Sequence, residues 1–439
     1  MTIYRARVLD TPEDPFQGGV LRADDDCALV VHDEVIVARG TLADVRAHDP
    51  TGLVIDLRDG WLLPGLVDTH VHYPQVRVIG ALGMPLLEWL ERCALPEECH
   101  LASEDYARLV AEEFCASLIA AGTTTALVFG SHFSGAVEEL FTVVDRYGLR
   151  VTSGLVVSDR GLPDPLLTTP ERAHAESVAL AETWHGRGRI RYAVTPRFSF
   201  SAGEGMLAAC AAAAEDIGDA WFTSHVNENS AEVAEVARLF PGSAHYVGTY
   251  DDHGLLSTRS VLAHDVHATD AELEVLAARG TAVAHCPSSN SALGSGLFPL
   301  ARHLDHGVRV ALGSDVGAGT GFSLFKEGLQ AYFVQRLLAE QGRPLTPAQL
   351  LHLATAAGAQ ALGLDDTVGD LSPGKAFDAV CLRPVRGTAL DIGLRHVHTA
   401  EDALGKIFAL ASDADVADVW VGGRQVASGG FVRRVPGER

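Results

Sequence analysis

Short, almost uninterrupted apolar runs alternate with longer amphipathic stretches from residue 64 onward. Such runs are typical of strands that are buried on both faces of a parallel sheet. They predict strands over residues 66–70, 124–130, 149–157, 190–195, 220–225, 260–264, 281–285 and 309–315. The stretches between and after them predict helices over residues 104–121, 134–147, 170–185, 203–217, 229–239, 270–279, 297–306 and 323–339. This alternation predicts an α/β protein built on a (β/α)8 TIM barrel.

The two ends of the chain have a different pattern. Residues 1–63 and the tail from residue 366 combine apolar, β-branched runs with turn residues, which predicts short strands. Because an isolated sheet edge exposes unpaired backbone groups, we expect both ends to pack together as one small β-sandwich. The predicted domains are therefore the barrel over 64–365, which includes a further helix over 346–361, and a sandwich formed by 1–63 and 366–439.

Composition narrows the range of partners. The net charge of −23 disfavours nucleic acid and anionic membrane surfaces, because both are bound through basic patches, and a neutral small molecule fits better. No apolar run approaches the length of a membrane span, and the N-terminus lacks a signal-like apolar segment, so we expect a cytoplasmic protein. The seven cysteines are scattered and form no Cys-x-x-Cys pair, which is typical of reduced thiols.

The ends of the predicted strands hold the candidate chemistry, because such barrels bind substrates at the C-terminal ends of their strands. The first strand ends in His70-Val-His72, and residues two apart on a strand point to the same side. Such a pair of imidazoles suits a borderline-soft divalent ion such as zinc. Later strands end in His225 with Glu228, in His264, in His285 and in Asp315.

Each of these residues also has an ordinary structural explanation. A strand-end histidine is more often a surface or hydrogen-bonding group, Asp315 could cap a helix, and Glu228 could be a solvated acid. Their joint occurrence in register favours a metal site. Three imidazoles and a carboxylate would leave zinc with room for a water molecule and would lower the pKa of that water to about 7. Asp315 could take a proton from the water, and Glu228 could carry one to the substrate.

The lysines bear on the number of metal ions. Related barrels often bridge two metal ions with a carbamylated lysine at the end of strand 4. Here that strand ends in Thr195-Pro-Arg197, and the lysines of the chain are Lys326, Lys375 and Lys406. We therefore expect one ion per chain, zinc in the first place, with iron as the alternative.

The motif Pro64-Gly-Leu-Val-Asp-Thr-His-Val-His72, together with His225, His264 and Asp315, resembles the amidohydrolase superfamily of metal-dependent hydrolases. The resemblance covers essentially the whole chain. A narrower set of motifs is similar to the guanine deaminase family, although residues 76–85 depart from the family pattern. These motifs are His72-Tyr-Pro-Gln75, Leu86-Leu-Glu-Trp-Leu90, Thr195-Pro-Arg-Phe198, Ser224-His-Val-Asn-Glu-Asn229, Ala284-His-Cys-Pro-Ser-Ser-Asn290 and Gly313-Ser-Asp-Val316.

The resemblance implies a role for each residue of the site. Zinc would be bound by His70, His72, His225 and Asp315. Glu228 would be the proton shuttle, and His264 would hydrogen-bond the hydroxide. The purine would be held by Gln75 and Arg197, in a pocket lined by Phe198, Trp89 and Leu87. The implied activity is zinc-dependent hydrolytic deamination of guanine to xanthine and ammonia by a cytosolic homodimer.

The chemistry of these residues is compatible with that reaction, but alternatives stay open. Guanine presents O6 and N7 as adjacent acceptors, which a guanidinium fork can meet with paired hydrogen bonds. Arg197 could instead pair with a carboxylate of the barrel, and Trp89 could be part of the core. The same arginine could grip a pterin such as isoxanthopterin, 8-oxoguanine, or a triazine such as ammeline. Amide-ring hydrolysis and a non-catalytic assembly barrel are further alternatives.

Overall fold

The computed structural model describes residues 1–48 and 51–433. Its strands are β1 (Thr2–Asp10), β2 (Arg22–His32), β3 (Val35–Gly40), β4 (Leu53–Pro64), β5 (Leu66–His72), β6 (Thr123–Phe129), β7 (Arg150–Gly154), β8 (Val156–Val157), β9 (Ile190–Pro196), β10 (Trp221–Val226), β11 (Ser260–His264), β12 (Ala282–His285), β13 (Arg309–Leu312), β14 (Ala379–Leu382), β15 (Val416–Val421), β16 (Arg424–Ser428) and β17 (Phe431–Val432).

The helices before the strand β10 are α1 (Leu42–His48), α2 (Leu86–Trp89), α3 (Leu95–Cys99), α4 (Glu104–Ala120), α5 (Ser134–Tyr147), α6 (Pro170–Trp184) and α7 (Glu204–Ile217). Those after it are α8 (Ser230–Leu239), α9 (Tyr246–Asp251), α10 (Asp270–Arg279), α11 (Pro287–Ala292), α12 (Leu300–Asp305), α13 (Leu324–Leu337), α14 (Pro347–Ala354), α15 (Ala356–Ala361), α16 (Ala389–Leu394) and α17 (Ala400–Leu410).

The barrel prediction is confirmed. Parallel pairing runs in the order β5-β6-β7-β9-β10-β11-β12-β13, with β8 added beside β9. The barrel closes between its first strand and the segment that follows its last: the amide of Asp315 donates to the carbonyl of His70, and the amide of His72 donates to the carbonyl of Val316, both at 2.8 Å. This closure brings the end of β5 beside Asp315.

Local signals fix where the barrel helices begin and end. The helix α10 starts with a capping box, in which the Thr269 and Glu272 side chains each accept a hydrogen bond from the other residue's backbone amide. It ends at Gly280, whose φ of 66° is left-handed and costs glycine little. The strand β6 is buried along its whole length, including its three threonines, as expected for a parallel strand that is covered on both faces. No helix in the described ranges is both long and apolar enough to cross a membrane.

The two ends of the chain form a separate sheet, as predicted. Its strand order is β17-β16-β15-β14-β4-β1-β2-β3, and β4 joins the ends by pairing parallel to β1 and antiparallel to β14. Tyr4 stacks on Phe377 with 4.4 Å between ring centroids, so residues from both ends share one core. The domain limits at residues 63 and 365 stay predictions, and residues 49–50 and 434–439 of the predicted sandwich lie outside the described ranges.

Candidate active site

Five side chains converge at the C-terminal end of the barrel. The ligand atoms of His70, His225, His264 and Asp315 all lie within 4.8 Å of one another. His72 belongs to the same cluster, because its Nε2 atom lies 3.2 Å from His70 Nε2, 3.1 Å from His225 Nε2 and 3.3 Å from Asp315 Oδ1. All five are buried. The strand ends that the sequence singled out therefore meet at one point.

The cluster has an inner and an outer part. His70 Nε2 and His72 Nε2 each lie 3.3 Å from the Oδ1 oxygen of Asp315. His264 Nε2 is farther out, 3.9 Å from the Oδ2 oxygen of Asp315 and 3.6 Å from Glu228 Oε2. The inner part of the cluster therefore consists of His70, His72, His225 and Asp315. The imidazole of His264 lies outside it, between the carboxyl groups of Asp315 and Glu228.

Hydrogen bonds on the far side of two imidazoles, those of His225 and His264, fix which ring nitrogen faces the centre. The Nδ1–H group of His225 donates to the backbone carbonyl of Arg197 at 2.6 Å, and that of His264 donates to the side-chain oxygen of Asn290 at 3.0 Å. Both arrangements leave Nε2 unprotonated and directed inward. The remaining Asp315 oxygen accepts a hydrogen bond from the Ser289 hydroxyl.

The backbone at the strand ends is unusual and tightly packed. His264 and Asp315 have positive φ values of 75° and 48°, which non-glycine residues rarely adopt and which cluster at functional sites. A Cβ atom on Gly313 would lie 2.8 Å from the Cβ atom of His70, so this close approach requires glycine. The buried Asp68 carboxylate accepts from the backbone amides of His70 and Ser314, which ties β5 to the segment after β13.

Electrostatics set the protonation of the cluster. Burial lowers the pKa of His72 to about 4 and lowers the pKa of His225 well below its usual range, so both imidazoles are neutral at pH 7. Burial raises the pKa of Asp315, but hydrogen bonds with His70 and His72 outweigh burial and hold that pKa well below its usual range. Burial, helped by the charge of Asp315, raises the pKa of Glu228 well above normal. The environment therefore favours the ionised form of Asp315 and the acid form of its neighbour Glu228.

A narrow pocket opens above this cluster, and the empty space in it, including the solvent at its mouth, is about 350 Å³. Its lining residues are His72, Gln75, Leu86, Trp89, Leu90, Arg197, Phe198, His225, Glu228, His264, Leu293, Asp315 and Ala318. The predicted pocket residues Gln75, Trp89, Arg197 and Phe198 are thus brought together with the histidine cluster.

Leu87 is placed differently from the other predicted pocket residues. Its side chain is 37% exposed, whereas its neighbours Leu86, Trp89 and Leu90 are buried and line the pocket. The reason is helical spacing: positions i, i+3 and i+4 share one face, and Leu87 lies on another.

His285 also lies apart from the cluster, stacked on Phe298 with 4.2 Å between centroids.

Sequence reasoning missed several residues that support the site. Glu98 accepts hydrogen bonds from both Gln75 and Arg197, Ser289 and Asn290 hold Asp315 and His264, and Ser295 donates to Glu228 at 3.3 Å. Glu98 lies two residues after Pro96, in the segment that follows the Leu86–Leu90 motif. Its place so close to a motif of the predicted pocket was the signal that could have identified it. The serines and Asn290 carried no spacing that separates them from ordinary loop residues.

The three lysines lie outside the cluster. The ammonium of Lys326 donates to the carbonyl of Thr320, Lys375 pairs with Asp370, and Lys406 pairs with Asp402. The strand β9 ends at Pro196, so none of the described lysines could bridge two metal ions there. The lysine distribution therefore agrees with a site for a single ion.

Comparison with known proteins agrees with this geometry. The family model for the amidohydrolase family matches residues 61–426. The probable guanine deaminase of Deinococcus radiodurans is 59% identical over 429 residues, which cover 96% of this chain and 98% of the relative.

Two solved structures extend the comparison. The guanine deaminase of Escherichia coli superimposes with a TM-score of 0.94 at 34% identity, covering 98% of this chain and 100% of that one. A guanine deaminase of C. acetobutylicum, solved with bound guanine in its active site, superimposes with a TM-score of 0.89 at 25% identity, covering 97% and 99%.

These matches define the class of protein. The chain belongs to the amidohydrolase family, whose model spans the barrel and the strands β14 and β15 that follow it. Within that family it groups with the guanine deaminases, and it is a hydrolytic deaminase that acts on a small molecule. The histidine and aspartate cluster is its site for a divalent metal ion.

Proposed function

We propose that this enzyme hydrolyses guanine to xanthine and ammonia, with one zinc ion per chain. The observation that carries the proposal is that a buried histidine–aspartate cluster, the carboxyl group of Glu228 and the guanidinium of Arg197 all face one narrow pocket. A planar neutral base could meet all three groups at once. Replacement of the exocyclic amino group of guanine by oxygen gives xanthine and releases ammonia.

The residues of the inner cluster fit zinc. Two ligands at about 2.0–2.1 Å from one zinc ion, in tetrahedral geometry, lie about 3.3 Å from each other. His72 Nε2 lies 3.1–3.3 Å from the ligand atoms of His70, His225 and Asp315, and His70 Nε2 lies 3.3 Å from Asp315 Oδ1, which agrees with that spacing. Neutral imidazoles and an ionised carboxylate are also the protonation states that metal binding requires. Bound there, the ion would lower the pKa of a water molecule to about 7 and supply a nucleophile.

Glu228 and Asp315 can donate and accept the protons of the reaction. Addition of water to the amino-bearing carbon breaks the aromaticity of the ring, so the adjacent ring nitrogen has to gain a proton as the bond forms. The raised pKa of the buried Glu228 carboxyl favours its acid form, which can donate a proton there, and Asp315 can accept a proton from the water. Ammonia is a poor leaving group unless the amino nitrogen is protonated. After its first donation Glu228 is a carboxylate, so it can take the proton that the hydroxyl of the adduct loses as the carbonyl forms and pass it to the amino nitrogen. The proton held by Asp315 would then return Glu228 to its acid form.

Arg197 and the aromatic residues orient the base. The guanidinium of Arg197 lines the pocket and can donate two parallel hydrogen bonds to adjacent acceptors of the purine. Phe198 and Trp89 are buried in one apolar cluster beside the pocket, and a planar base suits such aromatic walls. Gln75, on the turn that follows β5, completes the polar side of the pocket. Together these groups would hold guanine with its amino-bearing carbon over the cluster.

A substrate panel tests the proposal. The purified, zinc-loaded enzyme is given guanine, isoxanthopterin, 8-oxoguanine and ammeline in separate reactions, and ammonia release and ultraviolet absorbance are followed. We expect the highest kcat/KM with guanine and xanthine as its product. A higher kcat/KM with one of the other three compounds would assign the pocket to that heterocycle. A product with an opened ring would replace deamination by amide-ring hydrolysis.

We further propose that the enzyme works as a cytoplasmic homodimer. The support is the family resemblance, which implies that assembly and that compartment. Light scattering of the protein as it elutes from a size-exclusion column gives the mass of the assembly directly. Fractionation of the source cells gives the location of the protein. A monomeric mass at working concentration would contradict the dimer.

A further inference from the structure

Glu98 lies just behind the wall of the pocket and binds two of its polar residues. It is on the short helix α3 and is buried. One carboxylate oxygen accepts from Gln75 Nε2 at 2.8 Å, and the other accepts from Arg197 Nη1 at 2.6 Å. Glu98 does not itself line the pocket. Both side chains that would contact the base are therefore tied to one carboxylate that does not contact it.

These bonds fix the direction of both side chains. The Gln75 amide is held at both of its ends, because its Oε1 atom accepts from the backbone amide of Gly317 at 3.1 Å. Within the described residues, the hydrogen bonds of the Arg197 guanidinium to the protein go through Nη1, to Glu98 and to His132. The Nε and Nη2 groups are left for a ligand. Glu98 thus turns the fork of Arg197 towards the pocket.

The same contact decides the charge of the pocket wall. Burial alone would raise the pKa of Glu98, but the charge of Arg197, together with the hydrogen bonds from Arg197 and Gln75, outweighs burial and lowers that pKa, so the carboxylate is ionised. Arg197 and His132 are the charged or titratable groups that face it, His132 with its Nε2 atom 3.6 Å away. An ionised carboxylate beside a guanidinium leaves this wall close to neutral.

We propose that Glu98 is a positioning residue that aims Arg197 and Gln75 at the base and, by neutralising Arg197, makes the pocket prefer the neutral substrate over the anionic product. This inference rests on the proposed function. Xanthine has a ring N–H between two carbonyl groups, so it ionises more readily than guanine. An unpaired buried guanidinium would attract that anion, and the enzyme would retain its own product.

The test compares Glu98→Gln, Glu98→Asp and wild type. For each, kcat/KM for guanine and the inhibition constant of xanthine are measured across neutral to alkaline pH. In Glu98→Gln we expect kcat/KM for guanine to fall about 10- to 100-fold, because the guanidinium of Arg197 loses the charged acceptor that orients it. The ratio of the xanthine inhibition constant to KM for guanine should fall about tenfold at alkaline pH. Glu98→Asp keeps the charge, so that ratio should stay near the wild-type value.

Glu97→Gln is the matched control, because Glu97 makes its hydrogen bond to Tyr106, outside the pocket, and should leave both constants unchanged. A measurement on wild type does not depend on any variant folding: inhibition by xanthine should weaken as the pH rises and xanthine ionises. Inhibition that strengthens with pH in wild type, or an unchanged ratio in folded Glu98→Gln, would overturn the role of Glu98. Failure of wild type to release ammonia from guanine would instead overturn the proposed function.

Discussion

The backbone carbonyl of Arg197 accepts a hydrogen bond from His225 Nδ1 at 2.6 Å. One residue therefore orients a metal-site imidazole with its main chain and lines the substrate pocket with its side chain. Because the carbonyl is present whatever the side chain, a substitution at position 197 can alter substrate binding and leave His225 in place. The metal site and the base-binding site can thus be tested separately.

Arg197→Lys uses this separation. We expect kcat/KM for guanine to fall about 10- to 100-fold, since an ammonium cannot make two parallel N–H bonds in a fixed plane. Metal content, measured by plasma emission, should stay at the wild-type level. Arg172→Lys, at an exposed position paired with Glu176, is the control for the substitution itself. Equal kcat/KM in Arg197→Lys and wild type would exclude a guanidinium fork on the base.

The inner cluster predicts the metal stoichiometry. Native protein should contain one zinc ion per chain, and His70→Ala should lose both the ion and the activity, because the three remaining inner ligands cannot replace a buried imidazole. His285→Ala removes another strand-end histidine, one that stacks on Phe298 outside the cluster, and should keep its ion. Two ions per chain in native protein would refute the argument from the lysines.

Glu228→Gln tests the proton shuttle. The amide keeps the size and hydrogen bonding of the side chain but cannot relay a proton, so kcat should fall about 10²- to 10⁴-fold. Zinc content and guanine binding, measured by elemental analysis and calorimetry, should be retained. Glu235→Gln changes an exposed acid on the neighbouring helix α8 and should have near-normal kcat. Near-normal kcat in fully metallated Glu228→Gln would move the shuttle role to Asp315 or His264.

Asp10 predicts a pH dependence of stability away from the active site. The buried Asp10 carboxylate pairs with Arg22 and Arg39 and accepts from the amide of Leu371. Burial raises its pKa, but the two guanidinium groups outweigh burial and lower it. Because the folded pKa lies below the unfolded value of about 3.9, this stabilisation is present above about pH 4 and is lost as pH falls through the folded pKa.

The corresponding variant is Asp10→Asn. It should lower the free energy of unfolding at pH 7 by about 2 kcal/mol, because it removes one of the two carboxylates that pair with the largely buried guanidinium of Arg39 and leaves Asp24 as the other. Urea unfolding at neutral and acidic pH measures this difference, which should shrink towards acid. The kcat of the folded variant should equal that of wild type. A difference that stays constant with pH would show that the Asp10 charge is not what stabilises this sheet.

Much of the fold could be predicted from local sequence patterns. The expected helix over 134–147 is observed at Ser134–Tyr147, and the expected strand over 260–264 is observed at Ser260–His264. These patterns succeed because a strand buried on both faces is mostly apolar, and because a left-handed glycine such as Gly148 marks where a helix ends. The last predicted strand, 309–315, is shorter in the structure and ends at Leu312, since its final residues leave the ladder to place Asp315.

The sequence by itself determined the barrel, the sheet formed by both ends, and the set of histidines and acids that the strand ends bring together. Their spacing depends only on the periodicity of strands and on the rule that parallel strands share an end. The tertiary structure alone decided that Glu98 meets Arg197, 99 residues away, and that Leu87 faces outward. Such contacts depend on the path of a loop and on the rotation of a short helix, which are set by packing against distant residues and leave no periodic trace in the sequence.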